Sequence, residues 1–556
     1  MAKMQEWIIT LHNKEDEPSF YEDMETPGGN LYIPDRKVPC TARRTLSRNT
    51  HYMLYDDEAM EIEKDPRVWG VTPRIQLEES YKPAYKIENG EFDKRWQNDV
   101  SDINWGLLRH SEATNRTNWG DTGTGLVTDD LTVTASGKNV DVVIVDGHID
   151  PSHPEFAVMS DGSGGSRVIQ YNWYQNDIGQ GTGTYTYTPY VDDNLTDSDG
   201  DGYSDLTEDN NHGCHCAGTV AGNTQGWARD ANIYNMSPYA TNPNSGFASF
   251  LWDYMRAWHN AKPINSDTGR RNPTVSNHSY GSALSFVSGS NRITYRGTEF
   301  NPGRQLTVQE LNDRGVNTND ANEFSFPYWS TAIQADVQDA IDDGIIVVVA
   351  AGNDAWKMVD SADQDYNNRI HPGSFATSYY YHRGDGRSGY APVITVGALG
   401  NNANEAKATF SNTGTRIDVF AAGEAINSSV HSLSFGSGFY GTNDPRNSSY
   451  FINRYQGTSM AAPQVTGVLA LVAEMYPDMT QTEMQQWIYD NAPTGQMFDS
   501  GADDATDNTS LQGGTDRVLY WKNIRSETGA SFPRRTHKLR PTSGATYPRP
   551  RIRRKG

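Results

Sequence analysis

Short apolar runs alternate with amphipathic segments through most of the chain. Runs of β-branched residues, typical of buried strands, lie at Val140 to Val145 and at Ile345 to Ala350. Apolar residues with helical spacing occupy Ala332 to Asp342 and Met460 to Met475. Buried strands separated by helices are typical of a parallel sheet with both faces covered. The pattern therefore predicts an α/β domain, with a mainly parallel sheet flanked by helices, over residues 105–520.

The first 78 residues show a different pattern. A strand-like run covers Glu6 to Leu11, and Asp56 is placed to cap a short helix that precedes a second strand-like run, Val68 to Val71. This order predicts a small α+β module over residues 1–78. Residues 79–104 are polar and lack periodicity, so we expect them to form an exposed linker.

Composition excludes several classes of protein. Of the 556 residues, 36% are hydrophobic and 21% are charged, which is typical of a globular protein rather than a disordered or fibrous one. The longest apolar run, Gly344 to Gly352, is too short to cross a bilayer, so we do not expect the chain to span a membrane. The N-terminus has no apolar segment behind a basic stretch, and we expect no secretory signal peptide. A cytoplasmic or virion-associated location is the resulting expectation.

Charge is distributed unevenly along the chain. The net charge is −23, but the stretch Lys522 to Gly556 carries eleven Lys and Arg against one acid, Glu527. The rest of the chain therefore carries about −33 and would repel nucleic acid. Residues 521–556 form a basic tail rich in Pro and Arg, which would attract an anionic partner; the alternative is a solvated, disordered tail.

The three cysteines do not predict disulfides or zinc. Cys40, Cys214 and Cys216 are odd in number, and two of them are one residue apart. The Cys-His-Cys run lacks a second ligand pair at a suitable spacing, so we expect no zinc site.

Three segments place a reactive side chain at the end of an element. Asp146 follows the buried strand VDVVIV, His212 opens the small-residue segment HGCHCAGTVAG, and Ser459 lies at the start of the apolar helix GTSMAAPQVTGVLALVAEM. Each one alone has an ordinary structural explanation as a turn or cap residue. Together they supply the nucleophile, the base and the group that orients the base, which are the three requirements of acyl transfer.

Five segments in order resemble the subtilisin-like serine proteases, the subtilase family, and within it the proteinase K type. They are VIVDGHIDPSHPE, HGCHCAGTVAG, VSNHSYGS, VVVAAGN and GTSMAAPQVTG, and the resemblance covers nearly all of residues 105–510. It implies a serine endopeptidase acting on peptide or protein substrates, with Asp146, His212 and Ser459 as its triad.

The resemblance also implies two groups that contact the substrate. Asn353 would donate its side-chain amide to the oxyanion, although in an Ala-Gly-Asn loop it could instead be a turn residue. Ser279, Tyr280 and Gly281 would form an edge strand that pairs with the substrate backbone, with a plain strand end as the alternative.

Two departures from the family pattern surround the triad. The family usually has Ser or Thr after the Asp, whereas this chain has Gly147 and then His148. The side-chain support of Asp146 is therefore in doubt. Cys214 replaces the usual Thr near His212, and Cys216 is expected to be a small buried residue.

An acidic loop within the first of three expected insertions (about 170–211, 283–328 and 355–390) predicts calcium binding. The segment DSDGDGYSDLTE places oxygen ligands at the spacing of a calcium loop, with Gly202 at the sharp turn. The alternative is a solvated acidic turn. The predicted ligands are Asp197, Asp199, Asp201, Tyr203 through its carbonyl, Asp205 and Glu208.

The N-terminal module resembles, more weakly, the inhibitory prodomain of subtilases. NWGLLR, Asn104 to Arg109, resembles the start of the mature family enzyme, so we expect self-processing within residues 75–104 and inhibition by the module itself. The main alternative is an inactive structural or binding protein, for example a component of a phage particle. An esterase that uses the same triad is a second one.

Overall fold

The computed structural model contains an N-terminal module followed by a large domain. Across the chain it describes residues 4–34, 38–44, 46–74, 81–83, 86–87, 104–114, 135–147, 149–159, 162–170, 210–236, 251–286, 289–372, 378–390, 392–402, 404–430, 442–444 and 446–522.

The N-terminal module is a four-stranded antiparallel sheet with two helices. Its strands lie in the order β2-β3-β1-β4, and Trp7, Ile9 and Phe20 belong to its buried core. The α+β architecture is the one expected from sequence. The elements are β1 (Gln5–Leu11), α1 (Glu17–Glu25), β2 (Cys40–Arg43), β3 (Asn49–Leu54), α2 (Asp56–Ile62) and β4 (Val68–Pro73), with a 3₁₀ turn at Lys14–Asp16.

The sequence predicted Asp56 as the cap of helix α2, and that prediction is wrong. Asp56 is the first helical residue, and Tyr55 is the N-cap. The Glu58 side chain accepts a hydrogen bond from the Tyr55 backbone N–H at 2.8 Å, so this carboxylate satisfies an amide at the helix start.

Two short strands follow within the stretch expected to be a plain linker. They are β5 (Tyr81–Pro83) and β6 (Lys86–Ile87). Helix α3 (Trp105–His110) comes next and is buried along its whole length.

The large domain is built on a seven-stranded parallel sheet, as the pattern of buried runs predicted. Its strands lie in the order β19-β18-β15-β10-β7-β9-β8, and every neighbouring pair is parallel. They are β7 (Asp141–Val145), β8 (Val168–Gln170), β9 (Asn232–Met236), β10 (Thr274–His278), β15 (Ile345–Ala350), β18 (Ile394–Leu399) and β19 (Val419–Ala422).

Helices cover both faces of this sheet. Along β15, Ile346 and Val348 point into one core and Ile345 and Val347 into the other, because successive strand residues face opposite sides. The first core contains helices α4 (Asn210–Ala221) and α8 (Thr458–Met475), and the second contains α5 (Leu251–Ala261) and α7 (Thr331–Asp342). No helix in the described ranges is long and apolar enough to span a bilayer.

The second and third expected insertions pack against each other. Phe286 and Phe326 from one share a buried aromatic core with Trp356 and Tyr381 from the other. The elements outside the central sheet are β11 (Tyr280–Phe286), β12 (Ser290–Tyr295), β13 (Thr298–Phe300), α6 (Val308–Asn312), β14 (Phe324–Pro327), β16 (Arg369–Pro372), β17 (Tyr379–Tyr380), β20 (Ile426–Val430), β21 (Thr442–Asp444), β22 (Asn447–Gln456), α9 (Gln481–Asn491) and a 3₁₀ turn at Pro154–Phe156.

The N-terminal module docks on the face of the large domain that α5 and α7 cover. Its sheet lies against α7: the Thr72 and Thr331 hydroxyls are 3.2 Å apart, and a Cβ at Gly70 would come within 2.7 Å of the Thr331 hydroxyl oxygen. A side chain at position 70 would therefore require Thr331 to move.

Candidate active site

Asp146 lies at the carboxyl end of β7, where α/β proteins place their functional groups. Its side chain is 1% exposed. The Oδ1 atom accepts a hydrogen bond from the Gly147 backbone N–H at 2.8 Å and lies 2.7 Å from His212 Nδ1.

His212 is the third residue of α4, and only 2% of its side chain is exposed. A carboxylate oxygen accepts hydrogen bonds, so the contact with Asp146 favours the His212 tautomer that has its proton on Nδ1. This tautomer leaves Nε2 as a basic nitrogen, which is the state that a general base requires.

Ser459 is the second residue of α8, at the positive end of the helix dipole. Gly457, just before the helix, has φ of +153°, a conformation that favours glycine. The Ser459 hydroxyl donates to the backbone oxygen of Ser279 at 2.8 Å, and the Ser279 hydroxyl donates back to the Ser459 carbonyl at 2.9 Å. The single hydroxyl proton of Ser459 is thus directed at the Ser279 carbonyl.

Cys216 joins the nucleophile segment to the His–Asp pair. Its Sγ lies 3.9 Å from His212 Nδ1 and 3.5 Å from the Ser459 carbonyl oxygen. Burial, followed by the charge of Asp146, raises the pKa of the Cys216 thiol well above its ordinary value. The side chain is therefore a neutral packing group, as expected from sequence.

Asn353 lies in the loop after β15 and is held by Thr458, the first residue of α8. Its Oδ1 accepts from the Thr458 N–H at 2.8 Å and from the Thr458 hydroxyl at 3.0 Å. The buried Nδ2 has no hydrogen-bond partner among the residues that the structure describes. A fixed amide with unused N–H groups beside a nucleophile is suited to receive an oxyanion. Sequence reasoning had overlooked Thr458, although it stands next to Ser459.

Tyr280 and Gly281 begin β11, and Ser279 just before them is hydrogen-bonded to Ser459. A salt bridge on the third insertion supports this strand: Asp385 accepts from the Ser282 N–H at 3.1 Å and from Arg387 at 2.5 Å. Burial opposes ionisation of Asp385, but Arg387 brings its pKa below the usual value. The Arg387 guanidinium also covers the Tyr280 ring, 4.2 Å from its centre. Sequence could not indicate this support, because more than 100 positions separate its partners.

Of the residues that depart from the family pattern, the structure describes Gly147 and Cys214. The Gly147 amide supplies a hydrogen bond to Asp146, whereas His148 lies outside the described residues. Cys214 is buried and its Sγ accepts from the Asp150 N–H at 3.0 Å. His215 bonds to the Ile426 carbonyl at 2.8 Å and stacks on Tyr455, so the Cys-His-Cys run has a structural explanation.

Potential metal ligands cluster in one place within the described ranges. Donor atoms of Asp146, His212 and Cys216 lie within 4.8 Å of one another, and this group is the His–Asp pair itself. The predicted calcium ligands Asp197, Asp199, Asp201, Tyr203, Asp205 and Glu208 all lie outside the described residues.

The matching family model and the similar curated proteins point to the same family. The model of the subtilase family, Peptidase_S8, matches residues 137–516. The chain is 31% identical to subtilisin from Bacillus pumilus over 159 residues, 29% of this chain and 43% of that protein. It is 27% identical to a cuticle-degrading serine protease from Orbilia oligospora over 338 residues, 61% of this chain and 50% of that protein. It thus spans half or less of these curated relatives.

Two solved structures are also similar. A cold-adapted subtilisin-like serine proteinase is 20% identical, with a TM-score of 0.41, over 76% of this chain and 98% of that one. Fervidolysin from Fervidobacterium pennivorans, described as a keratinolytic enzyme related to subtilisin, is 17% identical, with a TM-score of 0.48, over 93% of this chain and 60% of that one.

Proposed function

The chain belongs to the subtilase family, and we propose that it is a serine endopeptidase made as a self-processing zymogen. The observation that carries this proposal is the buried 2.7 Å contact between His212 Nδ1 and Asp146 Oδ1, beside the helix start that presents Ser459. Nucleophile, base and orienting carboxylate would come from three separate elements, α8, α4 and the end of β7.

The catalytic cycle begins when Ser459 rotates from the Ser279 carbonyl toward His212. Its Oγ attacks the carbonyl carbon of the scissile bond while Nε2 of His212 takes the hydroxyl proton. Asp146 holds the Nδ1–H tautomer and stabilises the imidazolium. The same proton then passes to the leaving amine, and water hydrolyses the acyl ester by the reverse sequence of proton transfers.

Negative charge on the tetrahedral oxygen would be received by two kinds of N–H donor. Asn353 would offer its Nδ2, and the start of α8 would offer the backbone N–H of Ser459 and a positive dipole end. Because Thr458 already fixes the Asn353 amide, little reorganisation is needed when the charge develops.

Inhibition by the N-terminal module is supported by its docking. Arg44 of the module enters the large domain and donates to Asp253 and Asp336, each at 2.8 Å. Arg44 and Asp253 are each 1% exposed, and Asp336 is 5% exposed. A buried charge with two partners fixes the orientation of the module against α5 and α7.

Two further proposals rest on sequence alone. Calcium would be held by the loop Asp197 to Glu208, and an anionic partner would be bound by the basic tail. Both segments lie outside the described residues.

A fluorophosphonate probe tests the enzyme proposal, because it reacts only with an activated serine. We expect wild-type protein to be labelled and Ser459→Ala protein to remain unlabelled after wild-type enzyme has cut it in trans. Ser500→Ala, which changes an exposed serine, is the matched control and should be labelled normally. Labelling of Ser459→Ala at the wild-type rate would contradict the triad. Unlabelled, correctly folded wild type would favour the inactive structural protein.

A further inference from the structure

The turn at residues 384–389 of the third insertion is built around one carboxylate. Asp385 Oδ1 accepts from the backbone N–H groups of Arg387 and Ser388 at 2.9 and 2.7 Å, so the turn closes on its own acid. The Ser388 carbonyl accepts from the Thr395 hydroxyl at 2.8 Å, which ties the turn to β18 of the central sheet. The position of this carboxylate is therefore fixed independently of β11.

The second oxygen of the same carboxylate faces β11. Asp385 Oδ2 accepts from the Ser282 N–H at 3.1 Å and lies 3.8 Å from the position that a Cβ on Gly281 would take. Arg387 donates to this oxygen through Nη2 at 2.5 Å, and the same nitrogen donates to the Ser282 hydroxyl at 3.1 Å. The side chains of Asp385 and Arg387 are each 5% exposed. This buried ion pair thus holds Ser282 through both its amide and its hydroxyl.

Tyr280, two positions earlier on β11, is held through its ring. The Arg387 guanidinium lies 4.2 Å from the ring centre, and the His278 ring, 5.8 Å away, itself stacks on Trp252 of α5 at 4.5 Å. Burial raises the pKa of Tyr280 and lowers that of His278 well below its usual value, so both rings are neutral beside the guanidinium. A cation over a neutral aromatic ring is attracted to it. Arg387 therefore contacts β11 at two alternate residues, Tyr280 and Ser282.

These contacts lie next to Ser459 in the fold. Ser279, the residue before β11, exchanges two hydrogen bonds with Ser459, at 2.8 and 2.9 Å. A displacement of Tyr280 reaches Ser279 across one peptide bond, because that unit is planar and rigid. The same edge pairs with extended backbone, since β5 is antiparallel to it with Lys82 opposite Gly281. Whatever holds β11 therefore sets where an extended chain lies relative to Ser459.

We propose that the Asp385–Arg387 ion pair is a positioning group that makes the site select extended peptides over single acyl residues. This inference rests on the proposed endopeptidase function and names one determinant of its substrate class. A peptide that pairs along β11 has its scissile carbonyl placed by that strand. A single acyl residue forms no ladder, and its contacts at Ser459 alone place it. The ion pair acts on the reaction through β11, so its loss affects the first kind of substrate and spares the second.

Two thiobenzyl esters with the same leaving group test this selection. The acyl part of one is acetyl-alanine, which cannot form a ladder, and that of the other is acetyl-tetra-alanine, which can. Rates are expressed per active site, counted with a fluorophosphonate. Arg387→Met should lower kcat/KM for the longer ester about 10²-fold, the cost of a misplacement of about 1 Å, and change that for the shorter ester less than about twofold. Arg369→Met is the matched control, because this exposed arginine of the same insertion stacks on Tyr380, and it should leave both rates unchanged.

A second variant covers the case in which Arg387→Met does not fold, since it leaves the buried Asp385 carboxylate without its cation. The double change Asp385→Asn with Arg387→Met removes both charges together with the guanidinium contacts to Ser282 and Tyr280. It should show the same selective loss on the longer ester. Arg387→Lys keeps a cation beside Asp385 but lacks the planar fork, and it should recover part of the rate.

The outcomes separate this inference from the protease proposal. Equal loss on both esters in the double variant, or loss of its fluorophosphonate labelling, would show that the pair serves only the fold and would overturn the positioning role. Wild-type rates on both esters would overturn it as well. Either result leaves the protease proposal intact. That proposal fails instead if folded wild type neither reacts with the probe nor hydrolyses esters or proteins.

Discussion

Beside Asp146, a backbone amide occupies a place where family members usually offer a hydroxyl residue. The Gly147 N–H donates to the same Oδ1 that contacts His212, so the carboxylate is held through one oxygen by two donors. A backbone donor is set by the turn after β7 and does not depend on side-chain identity. The loss of the hydroxyl therefore still leaves a hydrogen bond that orients the carboxylate.

The proposal that Asn353 donates a hydrogen bond to the oxyanion can be tested by replacing this residue. Asn353→Ala should lower kcat about 10²–10³-fold with little change in KM, the effect known for loss of one such donor in this family. The reason is that the amide bonds to an oxygen whose charge exists only in the transition state. Steady-state kinetics on a chromogenic peptide would decide it, and an unchanged kcat would contradict the assignment.

Thr458→Val and Thr458→Ser form a matched pair for the support of Asn353. The hydroxyl donates to Asn353 Oδ1 at 3.0 Å and accepts from the Gly352 N–H at 3.0 Å. Valine lacks both bonds and should lower kcat, whereas serine keeps the hydroxyl and should restore most of it. Equal loss in both variants would indicate packing rather than a hydrogen bond.

At the scale of elements, the docking of the module depends on one buried arginine. Asn49 and Ser47 add hydrogen bonds to Asp336 at 3.1 and 2.5 Å, so this carboxylate is surrounded by module donors. Burial raises the pKa of Asp336 to about 6 although Arg44 opposes the shift. Asp336 and its neighbour Asp253 are therefore costly to leave without a cation.

Arg44→Met should loosen the module, because it leaves two buried carboxylates without their cation. Breaking such a cluster costs about 3–5 kcal/mol. In the uncut Ser459→Ala background, hydrogen exchange of β3 should become roughly 10²-fold faster or more. Arg43→Met is the control: this neighbouring arginine is 51% exposed and pairs with Glu25 inside the module, so exchange should change little. Equal effects of the two changes would exclude the buried cluster as the anchor.

Sequence periodicity predicted the elements whose burial is uniform. β15 was recognisable because it is apolar over its whole length, and β7 and α8 because apolar residues dominate them. β5 and β6 were not, since strands of two or three residues depend on a partner edge and are too short to carry a periodic signal. The same holds for Asp385 and Arg387, whose importance arises only when the third insertion folds back onto β11.

At the scale of the whole molecule, the described parts of the second and third insertions lie outside the central sheet and leave its parallel strand order uninterrupted. These two insertions pack together through aromatic residues and support β11 from outside. The first insertion precedes His212 directly in sequence, so anything that orders it would also restrain the start of α4. Calcium in that insertion would thus act on the catalytic base from a distance.

Chelation tests this long-range effect. An ion that binds only the folded state adds about 2.7 kcal/mol when its concentration is a hundredfold above Kd. Without the ion, five carboxylates between Asp197 and Glu208 repel one another next to α4. Excess EGTA should therefore lower both Tm, by several degrees, and kcat. The double change Asp201→Ala with Glu208→Ala should remove most of this response, whereas Asp192→Ala with Asp193→Ala, two acids outside the ligand set, should preserve it. If the first double variant responds to calcium as wild type does, the stabilising ion binds elsewhere and the loop is a solvated acidic turn.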